Sequence, residues 1–442
     1  IFAGPVYYDL ELKKYGSLYK FAPGLAHVFE DGSSLILYRD IDKTCKQIEK
    51  FSKKDAKVYK EMVSTFYEYF ELLCTTWVFN PPMPPSKFAA LLEGTDSGRN
   101  ILRMMYSHPL HIINQLFENE KVKTWMLLHI SQVGVPFDCF GNGLMFPLMF
   151  PALHSSGIGT SVGGSISLAL SMGKFIEAHG GIIKKNAEVK EILIKDRRAY
   201  GVKLSDGTEY HAEKAIVCNV GPTLIFGKDG MVDRSLLKPD FIKQVDAWRA
   251  GEVALFTMHL DLNEQIDYKA ASTEPDVNRA YSVGMCENVE VLQKQFNAVR
   301  IGEVPRGDAI GFLAVHSTVV DSTQAPPGKH TAFIWQYATN CHYIKGGPEK
   351  WDEIKEEYQE ECFEFWTKYT NNLKKSGVVL NIHSDTPLDI VRRNPSMIGG
   401  DFAGGDPNQD QLGIFRPFYN LAPYTTPFEN LWMCGPSTHP SA

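Results

Sequence analysis

The sequence predicts an α/β protein of two domains, and three observations carry this prediction. The chain has 442 residues, which is too long for one ordinary domain. Helical patterns dominate its first third, whereas strand-like runs alternate with helices in the rest. Within residues 157–222, glycine pairs bound one helix, and an Asp-Gly turn follows between strand-like runs.

The composition argues against several classes of protein. Hydrophobic residues make up 44% of the chain and charged residues 22%, as in globular proteins. The net charge is −7 and no segment concentrates Lys and Arg, so no nucleic-acid partner is expected. The 8 cysteines form no CxxC pair and lack histidines at metal-ligand spacing. We therefore expect no metal site, no disulfide framework and a reducing, cytoplasmic compartment.

The most hydrophobic stretch, residues 139–153, is interrupted by Pro, Gly and Asn. It is too short and too broken for a membrane-spanning helix, which needs about 18 apolar residues. Peripheral membrane association and a homo-oligomer are left open. The stretch and its flank are rich in soft apolar side chains: Phe137, Phe140, Leu144, Met145, Phe146, Leu148, Met149 and Phe150. A role in core packing is favoured for most of these side chains, and an apolar substrate channel is the alternative.

An amphipathic helix is predicted in the first third. Ser52 and Asp55 have the spacing of a capping box. The apolar residues that follow at helical spacing are Tyr59, Met62, Val63, Phe66, Phe70 and Leu73. Prolines between residues 81 and 85 are predicted to end this helix, and further short helices are expected in residues 86–133.

A second helix is bounded by Gly163-Gly164 and Gly180-Gly181. Its predicted apolar face is formed by Leu168, Met172, Phe175 and Ile176. Strands are predicted at 182–183, 189–194, 200–204 and, as a buried strand, 215–219, with a tight turn at Asp206-Gly207. Later in the chain, strands are predicted at 253–262, 309–318, 332–338 and 431–434, and a long helix at 348–373.

A run of short motifs extends over most of the chain. In order they are Gly163-Gly164, Val189, Asp206-Gly207, Asn219, Ala325-Pro326-Pro327-Gly328-Lys329-His330, Thr386-Pro387-Leu388-Asp389, Gly399-Gly400-Asp401, Gln411, Arg416-Pro417, Tyr424-Thr425-Thr426-Pro427 and Cys434-Gly435-Pro436-Ser437-Thr438-His439-Pro440. This ordered run resembles the phytoene desaturase and carotenoid isomerase group of FAD-dependent oxidoreductases. One dipeptide alone would carry little weight, but the order covers nearly the whole chain.

The resemblance implies a two-domain, FAD-binding (GR2/amine-oxidase-like) fold with a Rossmann-type FAD lobe and an α+β substrate lobe. It divides the chain into four segments. Residues 151–235 and 396–442 would form the FAD lobe, residues 1–150 a mostly helical cap or substrate lobe, and residues 236–395 the sheet and helices of the substrate lobe.

The resemblance also implies cofactor-binding residues. Gly435, Pro436, Ser437, Thr438 and His439 would line the flavin, because a glycine permits close approach of the backbone. Val189 would meet the adenine end through its backbone groups, and Asn219 would end a strand of the FAD lobe. A purely structural turn is the alternative for Gly435-Pro436 when the dipeptide is considered in isolation.

Two departures from the family pattern stand out. The family's N-terminal strand, glycine-rich turn and helix would precede Ile1, and Ser441 stands where the family has glycines after Pro440. We therefore expect the sequence to be part of a longer protein.

Several polar residues admit more than one role. His439 is expected to hold the turn or to act as a flavin-facing hydrogen-bond donor rather than to transfer protons. Arg416 could neutralise the flavin pyrophosphate or pair with Asp401. His154, His330 and His342 lack metal-like spacing and are expected to be ordinary core or surface histidines. No catalytic residue is assigned.

The function implied is hydride transfer from a small hydrophobic, isoprenoid or carotenoid-like substrate to FAD, in a desaturation, dehydrogenation or isomerisation. An amine oxidase on the same scaffold is the first alternative. A non-catalytic pseudo-enzyme or partner subunit is the second. The substrate itself and the electron acceptor are not specified by the sequence.

Overall fold

The computed structural model describes residues 4–131, 134–419, 421 and 424–441. The helices are α1 (Val6–Asp9), α2 (Ile41–Glu49), α3 (Lys53–Leu73), α4 (Pro85–Glu93), α5 (Asp96–Met105), α6 (Pro109–Leu116), α7 (Glu120–Ser131), α8 (Met145–Ser156), α9 (Ile166–Ala178), α10 (Pro222–Phe226), α11 (Pro239–Ala247), α12 (Val289–Arg300), α13 (Ser317–Val320), α14 (Lys350–Thr367) and α15 (Pro387–Arg393). The strands are β1 (Tyr19–Phe21), β2 (Gly24–Val28), β3 (Ser34–Tyr38), β4 (Gly159–Ser161), β5 (Val189–Lys195), β6 (Arg198–Leu204), β7 (Glu209–His211), β8 (Ile216–Cys218), β9 (Val253–Leu262), β10 (Ser282–Met285), β11 (Phe312–Val315), β12 (His330–Thr339), β13 (Val379–Asp385) and β14 (Leu431–Met433).

The chain divides into two compact units. Unit 1 comprises residues 1–71, 104–183 and 253–388, and unit 2 comprises residues 72–103, 184–252 and 389–442. Unit 2 thus groups most of the two segments assigned to the FAD lobe, adds residues 72–103, and leaves residues 151–183 in unit 1. The four-segment division with boundaries at 150, 235 and 395 stays a prediction.

Unit 1 is built on a seven-stranded sheet in the order β13-β9-β12-β11-β10-β2-β3. Its strands run antiparallel to their neighbours except for the parallel pair of β10 and β2. Helix α14 packs on this sheet, since the ring of Phe256 lies 4.9 Å from that of Tyr358 and stacks on Trp351. Both of these aromatic side chains of α14 are fully buried, so this face of the helix lies in the core of unit 1.

Strands β2 and β3 were not predicted. Every residue in both strands is buried, so their sequences lack the alternation by which a strand is recognised. The first third of the chain is therefore less purely helical than the sequence indicated, and it contributes two strands to the sheet of unit 1.

The long helix α3 begins as predicted but ends earlier. The Ser52 hydroxyl accepts a bond from the Asp55 backbone N–H (3.0 Å), which is one half of a capping box. The Asp55 carboxylate instead accepts from the backbone N–H groups of Glu118 and Asn119. The α-helix stops at Leu73 and gives way to a π-helical turn at Cys74–Val78, before the prolines are reached. The predicted short helices are present as α4 to α7.

The helix predicted between the glycine pairs forms as α9, but one prediction made beside it is wrong. The apolar face of α9 is largely uncovered, since Met172 is 38% exposed and Ile176 44% exposed, while the polar Ser171 is buried. No strand forms at residues 182–183, where Ile182 is 81% exposed. A helical spacing of apolar residues shows which side chains share a face but not what covers that face.

Unit 2 contains two small sheets around one apolar cluster. Strands β5, β6 and β7 form an antiparallel sheet, with the predicted turn at Asp206-Gly207 joining β6 to β7. Strands β8 and β14 form a parallel pair. The buried cluster beside them includes Ile192, Ile216, Phe226, Phe418, Phe428, Leu431 and Met433. Strand β8 is only half-buried, since Val217 is 60% exposed, so the prediction of a buried strand there is wrong.

Candidate functional site

The residues singled out by the motifs meet where strands β8 and β14 end. Because these strands are parallel and in register from Leu431 with Ile216 to Met433 with Cys218, their carboxyl ends lie side by side. Asn219 follows β8, and the segment from Gly435 follows Cys434, whose N–H donates to the Cys218 carbonyl (2.9 Å). Loops at the carboxyl ends of adjacent parallel strands are the usual place for ligands in α/β folds.

Gly435 is held against Asn219 so closely that no side chain fits between them. A Cβ placed on Gly435 would lie 1.8 Å from Oδ1 of Asn219, and the residue has φ +88°. The left-handed backbone favours glycine, and any larger residue would also displace the Asn219 side chain. The structure thus brings together two of the residues predicted from the sequence.

The turn after Gly435 is closed by Thr438. Its backbone N–H and its hydroxyl both donate to the Gly435 carbonyl, at 3.0 and 2.8 Å. Ser437, Thr438 and His439 are buried, while Pro436 is exposed. We call residues 435–439 the C-terminal turn; its backbone is fixed by its own hydrogen bonds before any ligand is considered.

His439 anchors the C-terminal turn to Trp77. Its Nε2 bonds the Trp77 carbonyl at 2.9 Å, and since a carbonyl only accepts, Nε2 carries the proton. Burial lowers the pKa of His439, which keeps the imidazole neutral. Nδ1 is then a buried acceptor with no hydrogen-bond partner among the described residues. His439 therefore holds the turn, as one of the two expectations had it, whereas the expectation of a flavin-facing donor is wrong, because the only N–H of the neutral ring is used by Trp77. The remaining Nδ1 could only accept a hydrogen bond from a ligand.

Arg416 stabilises the C-terminal turn through hydrogen bonds, and its N–H groups are not available to a phosphate. Its Nε and Nη2 both donate to the Pro436 carbonyl, at 3.1 and 2.8 Å. The remaining bonds go to the carbonyls of Ala403 (2.8 Å), Asp406 (3.4 Å) and Gln411 (3.4 Å). All five N–H groups are thus used, so neither pyrophosphate neutralisation nor a hydrogen-bonded pair with Asp401 describes this residue.

Burial lowers the pKa of Arg416 to about 10, and the charges of Asp401 and Asp406 oppose this shift. Asp401 in turn accepts from the backbone N–H groups of Gly251, Ala403 and Gly405, at 2.9, 2.7 and 2.7 Å. Its pKa is raised by burial, against these three bonds. The Gly399-Gly400-Asp401 and Arg416-Pro417 motifs are therefore a scaffold for the C-terminal turn.

Sequence reasoning missed Trp77 and Gly404 as parts of this site. A Cβ on Gly404 would lie 2.7 Å from the carbonyl carbon of Pro436, so two backbones pass each other in contact there. The Gly404-Gly405 pair was a signal of such an approach. Trp77 carried no signal, because it lies 362 residues from His439 in the chain.

Val189 belongs to a different sheet from the strands that lead into the C-terminal turn. It begins β5 and pairs with Leu204 of β6, in a different sheet from β14, and it is half-buried. A role for its backbone at the adenine end of FAD stays a prediction.

His154 and most of the aromatic stretch behave as ordinary core residues. His154 is satisfied by the Tyr59 hydroxyl (2.8 Å) and the Arg39 carbonyl (3.1 Å). Of the aromatic stretch, Phe137, Phe146 and Phe150 are fully buried, with Phe137 edge-on to Phe296 and Phe146 stacked on Phe150. Core packing therefore accounts for these side chains, although Phe140 is 66% exposed.

The described residues contain neither a metal-binding cluster nor a membrane-spanning helix. Within them, no set of three or more His, Cys, Asp or Glu side chains is arranged to bind a metal ion. None of the described helices combines the length and apolar character needed to cross a bilayer.

Comparison with known proteins confirms the resemblance to the phytoene desaturase and carotenoid isomerase group. No family model matches the chain. One of the subunits of limonene dehydrogenase from Castellaniella defragrans is 26% identical over 99% of this chain and 80% of its own length. The phytoene desaturase (neurosporene-forming) of Rhodobacter capsulatus is 24% identical over 94% and 74%. The prolycopene isomerase of Daucus carota is 28% identical over 50% and 34%.

The fold is shared with a solved structure as well. An oxidoreductase from Methanosarcina mazei superposes with a TM-score of 0.55, at 16% identity, over 98% of this chain and 80% of that one. The predicted α/β fold is therefore confirmed.

Proposed function

We propose that this chain is an FAD-dependent oxidoreductase that removes hydride from a C–H bond of a small hydrophobic substrate. The observation that carries the proposal is the C-terminal turn: a prearranged, glycine-favouring loop at the carboxyl ends of two parallel strands. The relatives named above, which are dehydrogenases, desaturases and isomerases, support the same class of reaction. Those names refer to hydrophobic substrates, and we extend that class to this protein.

The residues present fit a flavin. A Cβ on Gly435 would lie 1.8 Å from Oδ1 of Asn219, so the glycine allows the segments that follow β8 and β14 to approach each other closely. The orphaned Nδ1 of His439 is a buried acceptor, whereas a flavin with its ribityl chain offers N–H and O–H donors. The residues that would hold FAD are Val189, Asn219, Gly435, Pro436, Ser437, Thr438 and His439.

When bound, FAD would supply the hydride acceptor. The protein's own residues do the rest. The C-terminal turn would orient the cofactor through backbone groups that Thr438 and Arg416 hold in place. Its buried residues Ser437, Thr438 and His439 would limit the access of water. Since His439 is kept neutral and its Nε2–H is committed to Trp77, we assign it to cofactor positioning. No acid or base in this chain is assigned to the reaction.

Two alternatives are retained. An amine oxidase would use the same C-terminal turn with a different substrate. A role as a partner subunit is favoured by one specific observation, which is that the limonene dehydrogenase relative is named as one subunit of its enzyme. In that case, this chain would work only with a second polypeptide.

The experiment is an absorbance spectrum of the purified full-length protein between about 300 and 550 nm, before and after anaerobic addition of apolar and amine substrates. Bleaching of the flavin band by an apolar compound supports the proposal. Bleaching by amines alone favours the amine oxidase. A protein that takes up no FAD on reconstitution would contradict the enzymatic proposal and favour the partner-subunit alternative.

A further inference from the structure

A cleft of about 1000 Å³ opens on unit 1, and no step of the proposed function uses it. Its walls come from the N-terminal turns around α1, from strand β1, from Arg39, from the end of α8 and from Phe70 of α3. Strand β1 is held in place by antiparallel pairing with β4. A concave volume of this size is typical of sites for small organic ligands.

The apolar part of the cleft is aromatic and remains in contact with solvent. Its aromatic lining residues are Tyr7, Tyr8, Tyr19, Phe21 and Phe70. Tyr8 is 59% exposed and Phe21 53% exposed, with Leu18 beside them at 44%. Large apolar side chains grouped around a concavity mark a place where a ligand removes them from water.

The charged part of the cleft is positive. Lys13, Lys20 and Arg39 line it, and none of the described lining residues is acidic. Lys20 is neutralised by the buried carboxylate of Asp321 at 2.8 Å. Within the described part of the chain, no carboxylate pairs with Lys13 or Arg39; Arg39 donates only to the Ser155 carbonyl (2.8 Å). Two positive charges beside an aromatic cleft therefore lack counter-charges.

We propose that this cleft binds an amphipathic anion. Its apolar body would pack on the aromatic rings, and its carboxylate or phosphate group would lie at Arg39 and Lys13. Arg39 retains free N–H groups in the planar arrangement that suits either oxyanion. Cationic amphiphiles are disfavoured by the same two charges. The inference concerns binding by unit 1 and stands whether or not the proposed redox activity is found.

The test is calorimetric titration of the full-length protein with four ligands of equal chain length, all below their micelle concentrations. These are decanoate, decyl phosphate, 1-decanol and decylammonium. We expect at least one of the two anions to bind about tenfold or more tightly than decanol, and decylammonium to bind more weakly still. Which of the two anions binds better identifies the head group.

Matched variants locate the site. Lys13→Gln and Arg39→Gln should each weaken anion binding by about tenfold. Lys14→Gln is the control, because Lys14 pairs with Glu11 and does not line the cleft; it should change binding less than about twofold. Since Arg39→Gln also removes the bond to Ser155, Lys13→Gln keeps the test valid if the Arg39 variant unfolds.

Three results would overturn the proposal. The first is equal affinity for decanol and both anions, and the second is an unchanged affinity in Lys13→Gln. The third is an interaction with vesicles of anionic lipid but with none of the monomeric ligands, which would make the patch a membrane-contact surface instead.

Discussion

Two N–H groups of the Arg416 guanidinium donate hydrogen bonds to the carbonyl oxygen of Pro436, at 3.1 and 2.8 Å. The residue is 1% exposed, so this contact lies inside unit 2. It links the Arg-Pro motif to the C-terminal turn 20 residues later in the chain. The motif therefore stabilises the turn. Its loss should lower the free energy of unfolding and weaken cofactor binding.

We expect Arg416→Met to destabilise the protein by about 3 to 5 kcal/mol, because it leaves the carbonyls of Pro436 and Ala403 buried without donors and removes the cation opposite Asp401. The measurement is urea unfolding followed by circular dichroism. The control is Arg234→Met, which removes a surface pair with Asp246 and should cost no more than about 1 kcal/mol. Equal costs for the two variants would show that Arg416 is not a support.

Arg416→Lys tests the geometry separately from the charge. Lysine keeps the cation but has one nitrogen in place of three, so it cannot reach all four carbonyls. We expect an intermediate loss of stability together with weaker FAD retention. Full retention of FAD in this variant would mean that the C-terminal turn does not depend on the set of hydrogen bonds that the Arg416 guanidinium donates.

Unit 1 should lose stability in acid because of three buried histidines. Burial lowers the pKa of His27 to about 3, of His129 to about 4 and of His316 to about 3, from an ordinary value of 6.5. The folded state keeps them neutral, while the unfolded chain takes up protons below 6.5. The contribution of these neutral histidines to the free energy of unfolding is therefore complete above pH 6.5, and it is lost as the pH falls towards 4.

The measurement is the free energy of unfolding between pH 7 and 4. We expect His129→Gln to reduce the number of protons taken up on unfolding in this range by about one. A wild-type stability independent of pH from 6.5 to 4 would contradict the assignment.

His439 should affect cofactor binding and not proton transfer. His439→Leu removes both the bond to Trp77 and the orphaned Nδ1, so we expect FAD affinity to fall by about tenfold or more. The rate of flavin reduction in the loaded variant should keep the wild-type pH profile. Disappearance of an ionisation near neutral pH would instead make this histidine an acid or base in the reaction.

The parts of the fold that local signals specify were predicted from the sequence. The turn at Asp206-Gly207 and the strand at 253–262 formed where expected, because a positive-φ glycine and an alternating apolar run act within a few residues. The start of α3 was likewise fixed by the Ser52 hydroxyl. The buried pair β2 and β3 was missed, since all its residues face protein.

The site could be predicted only in part for a related reason. Gly435 and Asn219 were named from motif order, and they do meet. The contacts that hold the turn, from Trp77 to His439 and from Arg416 to Pro436, join distant segments through backbone carbonyls. Any residue type provides a carbonyl, so no pattern of side chains reveals such partners.

The most direct test of the central claim, that the C-terminal turn holds the cofactor, is a titration of FAD into matched glycine variants of the full-length protein. Gly435→Ala and Gly207→Ala impose the same backbone strain, with φ +88° and +87°, but only the first brings a Cβ into Asn219; the second has open space. We predict that Gly207→Ala binds FAD with the affinity of the wild type. In Gly435→Ala, the affinity for FAD should fall by about tenfold or more. Equal FAD binding by the two variants would contradict the account.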